Sequence, residues 1–161
     1  MCNISKILNL NYVDFAKRYL KITPYDFTLW DANLKDTGKK KMMRTLILNF
    51  DQKQDCIFLK KQEEKFLCQI YQARPQQCEL YPFWSMIMTS EVTFQDHRLI
   101  CPGFHVPKEE AEFFTPDHIQ RLVNNERRIE RDYFLAMKAV NFDIMAYYPF
   151  LKDVSALDIN K

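Results

Sequence analysis

Glycine is almost missing from this chain: its 161 residues hold only Gly38 and Gly103. A phosphate-cradling P-loop or a dinucleotide-binding turn needs several glycines close together, so that the backbone can approach the phosphates. Both are excluded, and nucleotide or methyl-donor chemistry would need another type of pocket. Charge of one sign is lacking too. The formal net charge is +2, so no overall field draws the chain to nucleic acid. No apolar run approaches the roughly 20 residues that span a bilayer. The opening stretch MCNISKILNL lacks the charged-then-apolar order of a secretory leader, and Cys2 lies too early to follow a lipoprotein signal. A cytoplasmic chain with reduced thiols is expected. Also absent is the tight C-x-x-C pair of many zinc sites.

What is present is the balance of a folded protein. Hydrophobic residues make up 47% and aromatic residues 14%, which is too rich for a disordered tail and enough for a core without staples. No linker or repeat splits the chain, so residues 1–161 are expected to form a single domain. Within it, 2–104 holds the cysteines and 105–151 is a helical C-terminal extension. The expected fold is α+β: a small irregular β core, surrounding helices, and cysteine-rich loops converging on a metal site.

Asn11 is placed to cap a first helix whose inward positions include Val13, Ala16 and Leu20. Thr23, followed by Pro24 and Asp26, predicts a second helix. The basic run Gly38–Arg44 reads as a solvated turn before a strand. RTLILNF, DCIFLKK and KFLCQIY have β-like composition, with KQEEK as a turn. Pro75 and Pro82 leave room between them for one helical turn at most. FWSMIMT and VTFQD read as extended pieces joined through Ser90 and Glu91. From Thr115-Pro116-Asp117 onward, Ile119, Leu122, Val123, Ile129, Tyr133, Ala136 and Val140 recur at helical spacing. This predicts one amphipathic helix of roughly 24 residues. Past Leu151 the chain is expected to fray.

Five cysteines remain: Cys2, Cys56, Cys68, Cys78 and Cys101. A buried cysteine is ordinarily a small hydrophobe. Here the last four sit at the edges of short strands and turns rather than inside apolar runs, where ends of elements can converge. Four thiolates suffice for a tetrahedral zinc site or an iron–sulfur cluster. Spacing alone leaves both the metal and the core reading open.

The stretches DCIFL, CQIYQARPQQCELYPF and ICPGF resemble the YkgJ-type cysteine-cluster family, a zinc- or iron-chelating domain. The shared pattern is C-x-F-L, then C-x-I-Y-x-x-R-P-x-x-C, then C-P-G, and the likeness covers roughly residues 2–104. The resemblance implies that Cys56, Cys68, Cys78 and Cys101 are metal ligands. Cys2 would be a fifth ligand or the remnant of the group C-x-x-C-G-x-C-C with which family members begin. Either a start upstream of Met1 or a loss of ligands would explain that difference. Glu79 also stands where the family tends to have arginine. The implied cofactor is zinc or iron, as a single ion or an iron–sulfur cluster.

A divalent ion with four thiolates carries a net charge of minus two, which needs donors or cations beside it. Arg74, on a backbone stiffened by Pro75, is the candidate. It would donate to a sulfur or to a carboxylate such as Asp55. Tyr71 and Tyr81 can offer hydroxyls, or simply form wall and core; Ile70-Tyr71 is expected to anchor the segment. His105 lies in the Cys101 loop and could replace a thiolate, and His97 with Cys101 could form a nucleophile pair. Two other readings stand beside metal chelation. Some relatives of the cysteine-cluster family are flagellin lysine methylases, which implies an iron–sulfur-dependent modification enzyme. A metal-free module would instead dock a protein partner on the long helix. Neither membrane nor nucleic acid is an expected partner.

Overall fold

The computed structural model describes residues 2–53, 55–101, 104–105, 107, 109 and 113–154. Two helices open the chain, α1 (Cys2–Ile7) and α2 (Tyr12–Tyr19). Asn11 caps α2: its Oδ1 accepts from the Asp14 N–H at 2.8 Å, satisfying one of the orphan donors of a first turn.

The second helix expected at Thr23-Pro24 does not form. Leu20–Trp30 is strand β1, paired antiparallel with β2 (Asp36–Leu48). A local cap signal loses here to Ile22, Tyr25, Phe27 and Thr28, which suit a pleated surface. It also loses to a continuous ladder from Leu20↔Leu48 to Thr28↔Lys40. The run Gly38–Arg44 is therefore strand rather than turn. The turn lies at 31–35, where Asp31 Oδ1 accepts from the Asn33 and Lys35 N–H groups at 2.7 and 2.9 Å. Gly38 has φ +71° where the register shifts, a conformation that side chains resist.

A second hairpin, β3 (Leu59–Gln62) and β4 (Lys65–Cys68), turns at Glu63-Glu64 inside KQEEK. The two sheets are separate and two-stranded. Two hairpins thus stand where one small β core was expected. A 3-10 turn, Tyr71–Ala73, and α3 (Gln76–Leu80) follow. FWSMIMT is a run of turns, not a strand, and VTFQD lies inside α4 (Glu91–Ile100). Ser90 is the reason: its Oγ accepts from the Thr93 N–H at 3.1 Å and starts a helix. Gln95 then reaches Glu91 across one turn at 2.6 Å.

The long helix is α5 (Pro116–Ala139), 24 residues as the periodicity predicts. It closes on Asn141 and Phe142, with φ 53° and 59°, whose N–H groups bond the Lys138 and Met137 carbonyls at 3.1 and 2.7 Å. Helix α6 (Ile144–Tyr147) and a 3-10 turn, Pro149–Asp153, complete the described chain. The expected fraying past Leu151 does not begin there. Leu151 is 0% exposed and Val154 7%, because both join the core; residues 155–161 lie outside the described residues. That core links Phe15 and Leu20 to Met137 and Ile144, and also to Phe58 and Ile70 beneath the cysteines. Among the described residues no helix is long and apolar enough to cross a membrane.

Helix α5 is fastened to its neighbours by half-buried polar contacts. Trp30 Nε1 donates to Glu130 Oε2 at 2.8 Å, and the Arg127 guanidinium lies 4.8 Å from the Trp30 ring centroid. The Ser85 N–H donates to Glu126 Oε2. Burial, and then the nearby Glu126, raise the Glu130 pKa against the Trp30 hydrogen bond. A raised carboxyl makes the folded state bind the extra proton, so stability falls as pH rises through the carboxyl's titration. Glu130→Gln keeps an acceptor for Trp30 and removes that penalty. Its melting temperature should exceed the parent's at pH 7, with the gain vanishing on acidification. Thermal melts across that range check it, and a gain independent of pH contradicts the assignment.

Candidate metal centre

The polypeptide around the cysteines is pinned by two apolar side chains. Phe58 and Ile70 are buried, each contributing about 1.5–3 kcal/mol by its removal from water. The Gln69 N–H bonds the Phe58 carbonyl at 2.9 Å, which closes the base of the β3–β4 hairpin. Cys56 precedes this hairpin. It bridges to Phe50, and its carbonyl accepts from the Leu59 N–H at 2.8 Å. Cys68 ends β4, opposite Leu59. The chain then winds through the 3-10 turn, and Pro75 starts the short helix that brings Cys78 back. Trp84 holds that helix as well, its Nε1 donating to the Gln77 carbonyl at 2.7 Å. No local sequence signal pointed to this Trp84 contact.

Cys56, Cys68, Cys78 and Cys101 are all free thiols. Two of them, Cys56 and Cys68, lie close enough to Cys78 to act on it. Burial raises the Cys78 pKa most, the Cys56 and Cys68 sulfurs raise it further, and Arg74 opposes them. Separate parts of the chain thus bring two thiols and one guanidinium within electrostatic range of Cys78. Such a thiol resists ionising beside two others unless a cation arrives. Among the described residues, no group of three or more histidine, cysteine, aspartate or glutamate side chains is drawn in tightly enough to grip an ion.

Arg74 is positioned by Tyr71. Its guanidinium carbon lies 4.3 Å from the ring centroid, a cation–π contact that also aims the fork. Tyr71 is 62% exposed. It is therefore a platform for Arg74 and not the expected core anchor; Ile70 alone fills that role. Asp55 is exposed, and its N–H is taken by Asp51 Oδ1 at 2.9 Å. Among the described residues the only ion pair within 4.0 Å is Arg131–Asp132, so Asp55 does not pair with Arg74. The acidic turn closes on itself and does not engage Arg74.

Cys101 is buried at the end of α4, its N–H bonded to the His97 carbonyl at 2.9 Å. The Tyr81 hydroxyl is its neighbour, and burial, then the Cys101 thiol, raise the Tyr81 pKa. Tyr81 caps the C-terminus of α3, so Cys101 is tied to the helix that carries Cys78. His105 is exposed, its Nε2 3.4 Å from the Leu99 carbonyl. The His97 Nδ1 lies 3.1 Å from the Thr93 carbonyl. The Cys2 side chain, Pro102 and Gly103 lie outside the described residues.

Thiols, once ionised, are the donors that soft or borderline metals prefer. Residues 13–102 match the family model CxxCxxCC, described as "Putative zinc- or iron-chelating domain". The chain belongs to this family. The matched span takes in Cys56, Cys68, Cys78 and Cys101 and ends before α5 begins. No solved structure gives a significant match. In this family member the four cysteines lie far apart in sequence, and no CxxCxxCC run occurs in the chain.

Proposed function

We propose that this chelating-family member binds zinc or iron in the cytoplasm through the thiolates of Cys56, Cys68 and Cys78, with Cys101 as fourth ligand and Cys2 as an additional one. The reading is carried by one observation: the match to the chelating-family model spans residues 13–102 and takes in Cys56, Cys68, Cys78 and Cys101, and Cys56, Cys68 and Arg74 lie within electrostatic range of Cys78. Arg74 offsets the negative charge of the thiolate shell, held over Tyr71 for that purpose. Tyr81, beside the Cys101 sulfur, would orient it with its hydroxyl. Bound zinc would supply a cross-link between the hairpin base, α3 and the end of α4; an iron–sulfur cluster would supply electron transfer. The iron–sulfur modification enzyme is the second form of the same reading, set apart by colour.

Elemental analysis of anaerobically purified protein tests this. About one zinc per chain in a colourless sample, or iron with a broad visible band, is the expected result. Arg74→Ala should weaken retention about 10- to 100-fold, as loss of an outer-shell partner does. A folded, monodisperse sample that carries neither metal and takes up neither on titration would refute the proposal.

A further inference from the structure

Away from the cysteines, a cavity of about 320 Å³ opens beside β2. It is lined by four consecutive strand residues, Lys41, Met42, Met43 and Arg44, and by Phe142–Met145 opposite. A cavity against one face of a strand would meet alternate residues only. Four in a row place it along the strand's edge.

That edge is open. Among the described residues β2 pairs with β1 alone. Pro24, opposite Arg44, has no N–H to give to a ladder, and the Arg44 carbonyl accepts instead from the Tyr133 hydroxyl at 3.4 Å. Both mark Arg44 as a position whose backbone groups point away from β1. Alternation turns those of Met42 and Lys40 outward too. The strand here is exposed except for Met43.

The edge also carries charge. None of Lys39, Lys40, Lys41 and Arg44 is in an ion pair among the described residues. Lys41 lies 5.0 Å from the Phe142 ring centroid. Of the nearby carboxylates, Asp143 is occupied in capping α6, its Oδ1 accepting from the Met145 N–H at 2.8 Å. Asp26 stands across the ladder from Met42.

We propose that the outer edge of β2 at Lys40–Met42 takes an extended acidic peptide segment of a partner protein as an added strand, one of whose side chains enters the adjoining cavity. Main-chain bonds to the edge give affinity, the cavity selects a side chain, and the lysines select acidic neighbours. A second copy of this chain is disfavoured, because pairing two such edges sets lysine against lysine. A nucleic acid strand would meet the charge but has no backbone to complete the ladder.

A short labelled peptide of alternating valine and glutamate is the probe, with oligothymidylate as the polyanion control. In the unmodified protein, the peptide should slow amide hydrogen exchange at Lys40 and Met42 about tenfold. Met42→Pro removes one outward N–H without breaking the β1 ladder and should weaken peptide binding about tenfold. Lys40→Glu with Lys41→Glu should weaken it at least as much. Absence of peptide binding, unchanged exchange at those two amides, or oligothymidylate binding as tightly as the peptide overturns the proposal.

Discussion

Removing the metal with a strong chelator is expected to lower the melting temperature by about 8–16 °C. The figure follows from linkage: a metal at a thousand times its dissociation constant adds about 4.1 kcal/mol. Each kcal/mol moves the midpoint of a domain this size by about 2–4 °C. The segments it would join have little else to hold them. The β3–β4 hairpin is exposed on almost every residue, and α3 is only five residues long. Phe58 and Ile70 pin the hairpin base, while α3 rests on Leu80, the Trp84 contact and a short seam with α5. Replacing one ligand should therefore remove most of what the chelator removes. Cys56→Ser and Cys78→Ser are each expected to reproduce the apo melting temperature, and the double variant should fall no further. Such non-additivity is the mark of groups acting through one shared centre. Cysteines that were merely small core residues would give smaller losses that add. Additive losses, with no response to the chelator in the parent, would sink the shared-ion reading.

The second large effect is expected at the other end of the chain. Leu151→Ala should cost about 2–5 kcal/mol, the range for a fully buried leucine whose cavity cannot collapse. The residue is 0% exposed in a 3-10 turn that packs on α2 and α6. Its neighbour Phe150 lies 5.8 Å from the Tyr12 ring, so the turn closes the N-terminal helices against the C-terminal ones. Lys152→Ala, on the exposed side of the same turn, should change stability by less than about 0.5 kcal/mol. Urea unfolding of the two variants measures the difference. Equal, small losses would mean that this turn does not stay docked in solution.

The expected fraying past Leu151 shows where sequence reading stops. A tail of mixed composition carries no period, and only the pocket left by α2 and α6 decides that Leu151 and Val154 are inside. Thr23-Pro24 teaches the same lesson in reverse. A sound local helix start was overridden by a partner strand more than ten residues away, because β pairing is a long-range contact. At Ser90 the error was of another kind: the cap was visible, but the apolar run before it suggested strand.

The residues by themselves determined α5, since its capping residue, proline and 3.6-residue period are all local. They determined the turn at Glu63-Glu64 and the short helix between Pro75 and Pro82. They also determined the family, because the Cys68–Cys78 core with its arginine-proline step is a contiguous pattern. Tertiary structure alone decided the rest. Tyr71 lies outside the core as a platform for Arg74, Cys101 meets Tyr81, and the lysine run is a strand edge beside a cavity. Each of these depends on which surfaces meet across distant parts of the chain, and neither local propensity nor spacing encodes that meeting.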